Sequence, residues 1–220
     1  MSFVQLQARL VDTIKRAAIT RLQRQRRGEA LLLTVYLWGE EATEMKLLES
    51  ALSNTSEPWL RAHVERHLAD EARHAQLLRE RLRALNAEPK KAARVDPLSA
   101  RKLARLERLV RDRAVQFKAG LSITIFVAAE QMEAMAVRVL TRHLECLDRP
   151  EDEPTHLLLG EILNDEARHH RGCAAVLDRL VLPNEREALQ KLRAEVLHIE
   201  RAWGMTGAVA MWLAGVWVAR

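Results

Sequence analysis

The chain has 220 residues, of which 48% are apolar, enough to bury a core and to exclude an intrinsically disordered protein. The net charge of +5 permits contact with nucleic acid or anionic lipid, but it serves solubility equally well. The two cysteines exclude a disulfide-stabilised scaffold, and the N-terminus lacks the apolar stretch of a signal peptide, so we expect a cytoplasmic protein. Only 8 Gly and 6 Pro occur, which favours an all-α fold.

The first half of the chain predicts three helices. An amphipathic helix covers residues 2–27 and is interrupted by Gly28. A second helix covers residues 30–53 and ends in the turn "NTSEP". A third helix follows this turn and continues to about Leu85.

The second half predicts three further helical stretches. A polar connection leads into a long stretch over residues 97–147, with a break expected near Gly120. A fifth helix covers residues 155–181, and the last one runs from Asn184 to the C-terminus.

The four central helices form two pairs, each joined by a short turn, with a longer connection between the pairs. This order predicts a four-helix bundle made of two helical hairpins with a crossover, plus extra N- and C-terminal helices. We divide the chain into an N-terminal amphipathic helix (1–28), the bundle (29–182) and a C-terminal helix with an apolar end (183–220).

The pentapeptide DEARH occurs twice, once in the third helix and once in the fifth. Glu71 and His74 share the apolar face of the third helix, and Glu166 and His169 share that of the fifth. A Glu and a His three positions apart lie one turn apart on the same side of a helix. Both pairs therefore point toward the bundle axis.

The partner helices also carry acidic residues on their apolar faces. Glu41 and Glu44 lie on that of the second helix, with Glu40 beside them, and Glu130 and Glu133 lie on that of the fourth. Burying several carboxylates in one core would cost many kcal/mol or force them to protonate, whereas two dications would neutralise them. Carboxylates combined with imidazoles suit iron or manganese. The rival interpretation is a duplicated structural hairpin with buried ion pairs.

On these residues the chain resembles the ferritin-like superfamily of di-iron carboxylate proteins, over roughly residues 30–181. "GEE" and "DEARHA" resemble rubrerythrin-type segments, as does the pair Glu130 and Glu133. The overall plan is also similar to demethoxyubiquinone hydroxylases and to tRNA-modifying di-iron hydroxylases. No Cys-x-x-Cys pair is present, so the rubredoxin-type domain of full rubrerythrins is missing.

The resemblance implies two iron ions, or alternatively two manganese ions or a mixed pair. The implied metal ligands are Glu41, Glu71, His74, Glu130, Glu166 and His169. Glu71 and Glu166 would bridge the two metals, and further candidate ligands are Glu40, Glu44 and Glu133.

Three more residues are candidate hydrogen-bond partners of the ligands. Metal-bound histidines usually donate their second N–H to a carboxylate, a role that suits Asp70 and Asp165, acting across the bundle. Their alternative is ordinary helix surface. Tyr36 is a candidate donor to a ligand or to bound oxygen, with core packing as the alternative, and we interpret His67 as a core histidine.

The sequence at the ends of the chain predicts binding surfaces rather than a catalytic site. Residues 202–219 carry no charge, and we expect them to dock on the bundle or on a second subunit of a homodimer, with peripheral membrane contact as the alternative. Two basic runs lack aromatic residues and any nucleic-acid motif, so solvated helix faces are favoured over nucleic-acid binding.

These features predict a dinuclear non-haem metal oxidoreductase of hydroxylase, oxidase or peroxidase type, which activates oxygen or peroxide. Its substrate would be a small molecule or a lipid-like compound. The alternatives are a ferroxidase or iron-storage protein, and a non-catalytic helical bundle associated with membrane or RNA.

Overall fold

The computed structural model describes residues 3–41, 45–88 and 97–218, and within these ranges the chain forms α-helices and short 3₁₀ turns without a β-strand. The all-helical prediction is therefore confirmed. The helices are α1 (Phe3–Gln23), α2 (Arg26–Gly39), α3 (Met45–Ser53), α4 (Pro58–Ala84), α5 (Pro97–Arg113), α6 (Leu121–Leu144), α7 (Glu153–Leu180) and α8 (Arg186–Val218).

The helix predicted over residues 30–53 is two helices, α2 and α3. After Gly39 the chain enters a π-helical turn at Glu40 and Glu41, where one extra residue widens the helix. Such turns occur frequently at functional sites. Glu44, one of the candidate ligands, lies outside the described residues.

The predicted break near Gly120 is confirmed. α5 ends at Arg113, a 3₁₀ turn covers Ala114–Gln116, and α6 begins directly after Gly120. Gly120 has a φ of 55°, a backbone conformation that glycine adopts without the steric cost of a side chain.

Packing between the helices is compatible with the predicted pair of hairpins. α4 contacts α2 and α3 on one side and α7 on the other, while α6 packs along α7 and also contacts α3. α5 and α8 cover α6 from outside, and α1 lies against α2 and α8.

Two apolar clusters fill the space between the helices. One includes Val64 of α4 and Cys173 of α7, and the other includes Leu78 of α4 and Leu159 of α7. Along α4, α6 and α7, the buried Glu and His residues lie between the parts of the helices that form these two clusters. A polar layer therefore separates two apolar ones.

The apolar end of α8 docks against α1 of the same chain. A Cβ atom placed on Gly215 would lie 3.6 Å from Arg21 and 3.7 Å from Leu22, which is ordinary van der Waals contact. Trp212 and Leu213 remain about half exposed on the outer side of α8. Among the described residues, none of the helices has both the length and the apolarity needed to cross a membrane.

We predict that Gly28→Ala destabilises the protein by about 1 to 3 kcal/mol, the usual cost of forcing extra atoms into a packed site. A Cβ atom on Gly28 would lie 2.2 Å from the carbonyl oxygen of Leu22, because the connection between α1 and α2 is short. Urea denaturation measures the change. The matched control is Gly160→Ala in α7, whose Cβ meets no atom within 4 Å and which should gain about 0.5 to 1 kcal/mol. Equal stability of the two variants would contradict the close approach.

Candidate metal centre

The Glu-x-x-His pairs of the two DEARH segments meet in the polar layer. α4 contributes Glu71 and His74, both fully buried, and α7 contributes Glu166 and His169, at most 5% exposed. Each pair lies on the inner face of its helix because residues three apart share one side. The structure thus brings together these four predicted ligands.

Two groups of side chains have ligand atoms close enough to hold a metal ion. The members of the first group are Glu40, Glu71, His74 and Glu166. The members of the second group are His67, Glu71, Glu133 and His169. Within each group the ligand atoms all lie within 4.8 Å of one another, and every member is buried. Glu71 belongs to both groups, so its carboxylate can bridge two ions, whereas Glu166 belongs to the first group alone.

The shortest distances between the ligand atoms match those around an octahedral ion, and others are 3.5 to 4.0 Å. With metal–ligand bonds of about 2.1 Å, neighbouring ligand atoms are about 3.0 Å apart. In the second group His67 Nε2 lies 3.0 Å from Glu71 Oε1 and 2.9 Å from Glu133 Oε1, and His169 Nδ1 lies 3.1 Å from Glu71 Oε1. In the first group His74 Nδ1 lies 3.2 Å from Glu166 Oε1.

These atoms converge without forming hydrogen bonds to one another. Among the described residues, neither oxygen of Glu71 or Glu166 has a hydrogen-bond partner, and neither does Nδ1 of His74 or His169. Buried polar atoms are almost always hydrogen-bonded, so this set requires another partner. Ions placed between the atoms would satisfy them all, and the residues present therefore fit a dinuclear metal site.

Each DEARH aspartate contacts the histidine of the other copy. Asp165 Oδ2 lies 3.2 Å from His74 Nε2, and Asp70 Oδ2 lies 3.0 Å from His169 Nε2. Since Nδ1 of each ring faces the ligand group, Nε2–H is free to donate to the aspartate. This is the carboxylate–histidine arrangement that orients metal-bound imidazoles.

The DEARH arginines contact the aspartates as well. Arg73 pairs with Asp165, and Arg168 donates to Asp70 at 2.8 Å. Although partial burial acts to raise the pKa of both aspartates, their hydrogen bonds to histidine and their arginine neighbours lower it below its usual value. The arginines are thus counter-ions of the aspartates, not of the glutamates that face the centre.

Two predicted ligands lie outside both groups. Glu41 forms an ion pair with Arg79, and Glu130 accepts two hydrogen bonds from Arg193, at 2.8 and 2.7 Å. Their places are taken by Glu40, from the π-helical turn, and by Glu133, one turn further along α6. In both helices the candidate ligand is a neighbouring acid of the same broad face.

Tyr36 also lies outside both groups. Its hydroxyl contacts His143 Nδ1 at 3.0 Å, and His143 Nε2 contacts Gln23 at 3.1 Å. Burial raises the pKa of Tyr36 and lowers that of His143 to about 4. These residues form a neutral buried network in place of the predicted contact with a ligand.

His67 is a candidate ligand that the sequence interpretation missed. It lies four residues before Glu71, on the same face of α4. The sequence pattern that could have identified it as a candidate ligand is therefore His-x-x-x-Glu-x-x-His. The equivalent residue before Glu166 is Ile162, so comparing the two copies gave no reason to single out this histidine.

Two imidazoles of the candidate centre, those of His67 and His74, have raised pKa values. Burial acts to lower the pKa of His67, but the adjoining Cys173 and Glu71 raise it to about 10. The carboxylates around His74 raise its pKa in the same way, against the effect of burial. Although burial acts to raise the pKa of Glu71, the adjoining Glu40 and the surrounding histidines hold it well below its usual value. Protons therefore supply the positive charge that metal ions would otherwise bring.

No protein-family model, curated protein or solved structure matches this chain. The geometry of the centre is therefore the basis on which a function is argued.

We predict that Asp165→Asn weakens binding at the first ligand group about 10- to 100-fold, the usual effect of removing a carboxylate behind a metal-bound histidine. Asp70→Asn should have the same effect on the second group, because the two contacts are reciprocal. Competition between the protein and a chelator for Mn²⁺ measures both affinities. Asp178→Asn, an exposed position on the same helix, is the matched control. Unchanged affinity in both variants would mean that the aspartates only hold the arginines.

Proposed function

We propose that this protein is a dinuclear metal-dependent oxidoreductase of the ferritin-like, di-iron carboxylate kind, which activates oxygen or peroxide. The observation that carries the proposal is the pair of buried four-residue ligand groups that share Glu71. A shared carboxylate holds two ions close together, which suits the transfer of more than one electron to a single small oxidant.

The donor atoms favour iron or manganese. The first group offers three carboxylates and one imidazole, and the second offers two of each. Hard oxygen donors suit manganese and iron, whereas tetrahedral thiolate sites suit zinc, and neither group contains a cysteine. The more nitrogen-rich second group and the more oxygen-rich first group also suit a mixed pair. When bound, the metals would supply the redox and Lewis-acid chemistry of the site.

The protein's own residues hold and shield this site. Asp70 and Asp165 fix the ring orientation of the two DEARH histidines, and the arginines hold the aspartates. The apolar clusters on both sides keep water away from the carboxylates. A dry, preorganised site of this kind strengthens electrostatic interactions with a bound oxidant.

We predict that the purified protein, expressed with both iron and manganese, contains about two metal ions per chain. Glu71→Ala should remove both, because both groups lose a ligand, whereas His67→Ala should leave about one, because only the second group is affected. Elemental analysis gives the metal content, and the absorption spectrum shows whether an oxo-bridged di-iron centre forms. The matched control is His170→Ala, next to a ligand on α7 but in neither group. A metal-free wild-type protein would refute the proposed function.

We predict that metal affinity rises with pH between 6 and 8. The pKa of His67 is about 10 in the metal-free protein, so its ring is protonated throughout this range. A metal must displace that proton, and each displaced proton raises the affinity about tenfold per pH unit. Titrating the protein with Mn²⁺ in buffers of different ionisation enthalpy counts the protons released. Binding that is independent of pH would show that the histidines of the metal-free protein are neutral.

A further inference from the structure

A cleft opens between α4 and α7 beside the second ligand group. Its volume is about 740 Å³, and its wall includes His67 and His169. A smaller cavity of about 360 Å³ adjoins it and shares His63, Arg66 and Gly172 with it. Clefts of this volume suit small organic molecules. The cleft therefore gives such a molecule access to one side of the candidate metal centre.

The charge of this cleft is positive. Arg66, Arg168 and Arg171 all line it. Arg168 is neutralised by Asp70 and Asp165, but Arg66 and Arg171 form no ion pair with any residue in the described part of the chain. Two arginines without counter-ions in one cleft suit a carboxylate or phosphate group, because guanidinium groups form strong paired hydrogen bonds with both.

His63 offers an unused hydrogen-bonding atom at the same place. It lines both cavities, and its buried Nε2 has no hydrogen-bond partner among the described residues. Gly172 leaves room for the ring, since a Cβ atom there would lie 2.7 Å from His63 Cε1. This unpartnered nitrogen, in the cleft that Arg66 and Arg171 line, can hydrogen-bond a ligand held there.

These features belong to one DEARH copy and not to the other. The residues of the second copy that align with His63, Arg66 and His67 are Leu158, Glu161 and Ile162, and those of the first copy that align with Arg171 and Gly172 are Gln76 and Leu77. The duplication therefore does not account for the cleft. In the second copy Glu161 stands at the position of Arg66, and its negative charge would repel an anion.

We propose that the cleft binds a small organic anion as the substrate of the centre, with Arg66 and Arg171 pairing with its carboxylate or phosphate group. The rest of the molecule lies against the wall formed by His67 and His169. The assignment as substrate rests on the proposed function, whereas the anion site stands on the cleft alone.

Calorimetric titration of the full-length protein with three probes tests the proposal. Benzoate and phenyl phosphate carry the two kinds of anionic group on one flat body, and benzamide is the neutral counterpart. We expect one anion or both to bind about tenfold more tightly than benzamide, since hydrogen bonds to a charged group are the stronger ones. The better anion identifies the group that the arginines prefer.

The double variant Arg66→Gln, Arg171→Gln should lower anion affinity about tenfold and leave benzamide binding unchanged. The matched control is Arg83→Gln, Arg108→Gln, which removes the same charge at two exposed positions outside the cleft. Equal binding of anions and benzamide, or equal loss of anion binding in both double variants, would overturn the proposal.

Metal analysis of the same samples separates the two proposals. If the protein holds two metals and the arginines have no effect, the cleft proposal fails and the proposed function stands. If anion binding depends on the arginines but the protein takes up no metal, the anion site stands and the proposed function fails.

Discussion

The burial of several ionisable side chains in one layer is the constraint on which the rest of the structure depends. Glu71, His74 and Glu166 are at most 1% exposed, and apolar clusters lie on both sides of them. Ionised carboxylates in such a place are unstable unless positive charge is supplied within the layer. Protons on His67 and His74 supply this charge in the absence of metal. A dication would supply two positive charges on a single atom. The same constraint would link metal binding to proton release and to the stability of the core.

The recurrence of DEARH follows from this constraint. Within each copy the Glu and His face the centre, while the Asp and Arg reach across to the other copy. Each aspartate thus orients a histidine on the opposite helix, and each arginine keeps an aspartate ionised. The exchange joins α4 to α7, which belong to different hairpins, by paired charged contacts around the buried layer. One copy alone would leave both its histidine and its aspartate without the partner that the other provides.

The sequence predicts the inward-facing pairs but not every ligand, for a geometric reason. A 3.6-residue period places Glu71 and His74 on the apolar face with a tolerance of about one position, and a repeated pair is robust to that error. The choice between Glu40 and Glu41 depends on a rotation of one residue, and the π-helical turn in which both lie has no signature in the hydrophobic pattern. Glu130 and Glu133 share one face, so only the position of Arg193 on α8 separates them. That is a contact between helices distant in sequence, which periodicity does not report.

Departures from the repeat give the centre its two unlike sides. His67, at the position aligned with Ile162, adds an imidazole to the second ligand group, while Glu166 belongs to the first group alone. The first group therefore has three carboxylates and one imidazole, and the second has two of each. Because imidazole is neutral when it binds a metal and carboxylate is not, the second group carries one negative charge fewer. An ion bound there would keep more of its own positive charge and would attract electron-rich molecules more strongly. The arginine-lined cleft opens on this same side, past His67 and His169. The lower negative charge of the second ligand group and the positive charge of the cleft therefore both favour the approach of an anion.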